Sequence, residues 1–138
     1  MSFTETTENL THLAVLSMLA AAVEEATAQA QPQCIVIVDA SGELLGELRM
    51  TGAKFLSRKS ARAKALTAAS IRAPSSVIPD HVRAAIGMAT EGCMTGLPGG
   101  LPIILNGACL GGIGIGSGTP EQDVAVAQAA LHAIGAEV

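Results

Sequence analysis

Apolar residues crowd a few stretches of the chain, and the spacing within each predicts an element. From Leu10 to Ala30, leucines, valines and alanines recur at several helical phases, which predicts a helix covered on more than one side. Thr7 is placed to cap it and Pro32 stops it. Cys34 to Val38 is an unbroken apolar run, Asp39-Ala40-Ser41-Gly42 has turn chemistry, and Leu44 to Met50 alternates imperfectly. Strand, turn, strand is the economical reading. Ser57 to Arg72 is Ala-rich, lacks Gly and Pro, and predicts a second helix that Pro74 ends. Asp80 to Thr90 predicts a further short helix, and Met94 to Leu97 a short strand. Leu101 to Leu105 and Ala108 to Ile115 flank Asn106-Gly107, a pair suited to a type I′ hairpin turn because both residues need positive φ. Thr119, Pro120 and Gln122 announce a capped last helix running to Ala133 or Ile134 and stopping near Gly135. The predicted order is α-β-β-α-α-β-β-β-α. That is one α+β domain over residues 1–138, an antiparallel sheet of about five strands with helices packed on it.

Composition narrows the function. The chain is 49% apolar with no Trp, no Tyr and two Phe, so its core is aliphatic and it lacks the stacking aromatics of a single-strand nucleic-acid binder. Only 14% of residues are charged, low for the surface of a solvated monomer, which points to a homo-oligomer. The longest apolar run, Leu13 to Val23, is too short to span a bilayer. Three cysteines without paired spacing and no basic, apolar leader fit a cytoplasmic protein. All eight basic residues fall between Arg49 and Arg83, beside a single acid, Asp80. Such a block suits an anion site or a partner surface, or simply neutralises acidic flanks across the fold.

The glycines of Gly111 to Gly118 do not follow the dinucleotide-binding spacing, and no phosphate-loop lysine accompanies them. On a strand, Gly112, Gly114 and Gly116 share one face, which admits a helix, another subunit or a flat ligand at close range. Helical spacing puts Arg58, Arg62, Ala65, Ala69 and Arg72 on one broad face of the second helix. Lys64 points elsewhere, either snorkelling outward or facing a pocket. Together with Arg49 and the loop from Thr95 through Pro98, Gly99 and Gly100, it forms the expected ligand-binding set, positive charge beside backbone donors. No histidine or cysteine spacing matches a metal site. His12, near the start of the first helix, has the chemistry of an axial haem ligand. If the protein is an enzyme, Lys64 is the candidate catalytic group, with Cys93 or Glu91 as other proton carriers.

Several motifs in order resemble the GlcG/HbpS-like family, whose members are described as haem-degrading or haem-binding. They are Val36 to Leu45, Arg49-Met50-Thr51-Gly52-Ala53, Ala63 to Ala69, Leu97 to Ile103, Asn106-Gly107 through Ile115, and Gly118 to Asp123. The resemblance covers nearly the whole chain. It implies a profilin-like α+β domain, homo-oligomers from dimers to octamers, and a small-molecule ligand, either haem (or a similar porphyrin) or a small organic acid. Some relatives look like cofactor-independent lyases, hydrolases or isomerases of carboxylate-bearing catabolic intermediates, the alternative reading. Two departures stand out. Thr51 replaces the family's usual Asp, and Ser117-Gly118 is part of the usual Ser-Gly-Gly.

Overall fold

The computed structural model describes residues 1–138 as three layers. The middle layer is a four-stranded antiparallel sheet in the order β2-β1-β4-β3, built from β1 (Cys34–Asp39), β2 (Leu44–Arg49), β3 (Gly100–Leu105) and β4 (Ala108–Gly116). Helices α1 (His12–Ala28) and α4 (Pro120–Ala133) pack together on one face, and α2 (Ser57–Ile71) covers the other. A short α3 (Arg83–Ala89) lies between α2 and β3 in the chain.

Strand alternation sorts the core in two. Ile35, Ile37, Ile103, Ile113 and Ile115 meet Val15, Met18, Ala22, Val126 and Leu131 of α1 and α4. Cys34, Val36 and Val38 meet Ala61, Ala65 and Ala69 of α2. On β4 this second face is glycine alone, and the reason is backbone contact. A Cβ at Gly112 would collide with the Ala65 carbonyl, one at Gly114 with the Ala61 carbonyl, and one at Gly116 would crowd the Ser57 carbonyl. The contacts step by two along the strand and by four, in reverse, along the helix. Two strand residues advance about 6.8 Å and four helical residues about 6 Å, so one helix ridge tracks the bare strand. Of the occupants that the glycine face admits, a helix is the one it takes.

The predicted element order holds, with four strands rather than about five. Met94 to Leu97 is not a strand, because side chains claim its backbone donors. The Met94, Thr95 and Leu97 N–H groups donate to the hydroxyls of Thr90, Thr67 and Thr95. Helix α1 is capped by Thr11, whose hydroxyl accepts from the Ala14 N–H, so it starts at His12 and Thr7 has no capping role. The stretch from Asp80 begins as a 3₁₀ turn, Asp80–Val82, before α3. The Asn106-Gly107 turn has both residues at positive φ, and α4 carries its capping box from Thr119 and Gln122 with Pro120 at the first turn, all as predicted. On α2, Ala65 and Ala69 are buried while Arg58, Arg62 and Arg72 reach solvent, since only the small residues fit against β4.

Because the Ala61 carbonyl stands where a Gly114 side chain would go, Gly114→Ala should cost at least about 3 kcal/mol by forcing helix and sheet apart. Gly87→Ala in α3, where the nearest atom lies at ordinary contact distance, should be neutral or stabilising by up to about 1 kcal/mol. Urea unfolding of the two variants checks the contrast.

Candidate functional site

Lys64 sits on the flank of α2 beside the glycine contacts, and its side chain is buried. It does not snorkel. Its Nζ donates to the Ile115 carbonyl at 2.7 Å and to Asp123 Oδ2 at 2.9 Å, across from α2 to β4 and α4. Asp123 is equally buried, and its other oxygen accepts from the Gly118 N–H at 3.1 Å. Asp123 is one of two carboxylates in the first turn of α4, and its pairing with Lys64 was not read from the sequence. The general signal is that a lysine on the Ala-lined flank of a helix needs a carboxylate, and α4 brings one across the end of β4.

Lys64 and Asp123 form the floor of a cleft of about 290 Å³, walled by Ser57 and Ser60 of α2, by Leu97 and Pro98, and by Ser117 and Pro120, with Lys54 at its edge. Three of the ten lining residues, Leu97, Pro98 and Pro120, are apolar, and six of the others carry a charge or a hydroxyl. The Lys54 backbone N–H donates to Ser117 Oγ at 3.0 Å, which ties two walls together. Behind Gly118 the side chain of Gln33 is wholly buried with both amide atoms unpartnered, and a Cβ on Gly118 would run into that amide.

The expected ligand-binding residues divide. Lys64 and Pro98 line this cleft. Gly99, at φ 114°, lies against Asp123 and Lys64, where a Cβ would stand 2.9 Å from the Asp123 Cβ. Gly100 abuts the Lys64 carbonyl, and its N–H is taken by Ser75 Oγ at 3.0 Å. Thr95 is committed to the loop, its N–H to Thr67 and its hydroxyl to the Leu97 N–H. Arg49 stands apart at the end of β2, where its Nε holds the Ala53 carbonyl at 3.0 Å.

A second cleft, about 380 Å³, lies across α2 and is more apolar, with Gly42, Leu66, Ala69, Cys93 and Met94 among its walls. The Cys93 thiol is exposed there. Cys34, by contrast, is inert: burial pushes its thiol up, against the pull of Arg49 and Arg58. Glu91 is exposed, and neither cleft includes it. On the opposite side of the molecule, His12, Leu13, Leu16 and Ala20 share an arc of about 100° on α1, all exposed, with Leu13 at 64% and Leu16 at 60%.

Comparison with known proteins places this geometry. The HbpS-like family model, described as haem degrading protein HbpS-like, matches residues 10–132. The chain is 34% identical over 119 residues to the corrinoid adenosyltransferase PduO of Salmonella typhimurium, covering 83% of itself. It spans about a third of that relative's length (35%). Among solved structures, the Klebsiella pneumoniae protein ORFY superposes with a TM-score of 0.93 at 28% identity, over 100% of this chain and 99% of that one. PduOC in complex with haem superposes with a TM-score of 0.87 at 30% identity, over 94% and 98%. No helix is long and apolar enough to cross a membrane.

Removing one member of the buried pair strands the other. Asp123→Ala leaves a buried, unpaired ammonium and should cost on the order of 3–5 kcal/mol. The double replacement Lys64→Met with Asp123→Leu should recover most of that loss, and urea unfolding of the single and double variants measures both.

Proposed function

The chain belongs to the HbpS-like family, and from that premise we propose that it is a haem-binding protein, with His12 as the axial ligand and the exposed arc of α1 as the bed of the porphyrin. The observation that carries the reading is the outer face of α1. Its inner face buries Val15, Met18, Ala22 and Ala26, as an amphipathic helix should, while the first two turns of its outer face present Leu13, Leu16 and Ala20 to solvent, with Glu24 and Thr27 following them toward the end of the helix. An imidazole at one end of such a strip combines the two things a haem needs, a donor for iron and an apolar surface for the ring. The clefts, about 400 Å³ or less, are small for a macrocycle. An open face suits it better.

Bound iron would supply redox and small-ligand chemistry; the chain's own part is to ligate through His12 and to shield one ring face. The competing iron donors are Cys93 and Met94 in the apolar cleft beside α2. Low surface charge and the exposed leucines also support a homo-oligomer, in which a second subunit would cover the other ring face.

Haem titration followed by the Soret band tests the reading. A saturable shift is expected, weakened at least about tenfold in His12→Ala and retained in Cys93→Ser. Wild-type titration by His12→Ala would overturn the ligand assignment, and the absence of any Soret shift would overturn haem binding. Light scattering at micromolar concentration should give the mass of a dimer or larger; a monomer would remove the second subunit from the picture.

A further inference from the structure

We propose that the polar cleft over the Lys64–Asp123 pair is a second, separate binding site, for a short monoanionic carboxylate carrying a hydroxyl or oxo group. An ammonium group has three N–H donors, and Lys64 spends two of them, on Ile115 and Asp123. The third remains at the cleft wall, on a side chain that is 95% buried and held rigidly from two sides. A structural ion pair alone does not require an open cleft with a spare charged donor in it.

Charge sets the class of ligand. The lining holds two ammonium groups, Lys54 and Lys64, against one carboxylate, Asp123, and Lys54 has no ion-pair partner. Glu121, in the first turn of α4, faces the neighbouring groove and is not part of the lining. One uncompensated positive charge matches a single carboxylate better than a doubly charged phosphate. The hydroxyls of Ser57, Ser60 and Ser117 supply hydrogen-bonding partners for a second polar group on the ligand, and a volume of about 290 Å³ limits the ligand to a short one. Behind the wall, the unpartnered amide of Gln33 adds buried polarity of the same kind.

This site lies on the α2 side of the sheet and does not depend on the haem reading. Lactate titrated into ¹⁵N-labelled protein tests it, with lactamide as the uncharged counterpart and inorganic phosphate as the doubly charged one. Saturable shifts are expected at the amides of Ser57, Ser60, Ser117 and Gly118, with lactamide at least about tenfold weaker. Lys54→Ala, an exposed side chain whose loss spares the fold, should weaken lactate about fivefold, while Arg62→Ala on the solvent side of α2 and His12→Ala should leave it unchanged. Equal binding of lactamide, tighter binding of phosphate, an unaffected Lys54→Ala, or no saturation by about 20 mM would each overturn the proposal.

Discussion

Everything on one side of this molecule depends on how closely α2 approaches β4. Three alternating glycines remove the side-chain layer that normally separates a helix from a sheet, so helix carbonyls rest on strand backbone. That closeness fixes the height of α2 over the sheet and thereby the reach of its flanking side chains. Lys64 extends just far enough to meet the Ile115 carbonyl on β4 and Asp123 beyond it. With an ordinary alanine or valine face on β4, the helix would ride higher and the same lysine would stop short. Gly100 continues the logic on β3, where the Lys64 carbonyl takes the space of its missing side chain.

The close helix also explains where the basic residues go. An interface built from Ala61, Ala65 and Ala69 has no room for long side chains, so Arg58, Arg62 and Arg72 turn outward. Lys64 alone is trapped at the margin, in reach of a carboxylate, and the cost of burying it is offset by the pair and the carbonyl. Basic charge that is concentrated in the middle of the sequence is thus sorted by sterics: most of it solvated, one ammonium made part of the interior. The polarity of the cleft follows from that sorting, not from a purpose-built loop. Glycines of the 97–100 loop are occupied with fitting over Asp123, Ile115 and Lys64, and Ser75 consumes the Gly100 N–H.

Local signals explain what could be read from the sequence. Asn106-Gly107 and the Thr119-Pro120-Gln122 cap are decided by backbone conformation within four residues, and both were legible. The apolar runs of β1 and β4 and the alanine-rich α2 were legible for the same reason. Met94 to Leu97 was misread because its hydrogen bonds go to hydroxyls of Thr67 and Thr90, a competition that propensity does not see. The start of α1 was misplaced because two threonines, Thr7 and Thr11, have equal capping chemistry and only the fold selects between them. The Lys64–Asp123 pair joins residues 59 apart, so no local pattern carried it. Arg49 was a reasonable partner on charge alone, yet β2 is an edge strand two strands from β4, and the Arg49 Nε is taken by the Ala53 carbonyl.

Helix α4 touches both proposed surfaces without merging them. Its body, through Val126, Ala127, Ala130 and Leu131, packs against α1 on one side of the sheet, and its first turns put Asp123 across the end of β4 toward α2. The capping box and Pro120 fix where that first turn begins. A shift of α4 would therefore disturb both the packing beneath the outer face of α1 and the floor of the polar cleft. The exposed leucines of α1 contribute nothing to that packing, because Val15, Met18, Ala22 and Ala26 already fill the helix's inner side. Their exposure, with His12 at the head of the same strip, is the observation on which the proposed haem surface rests.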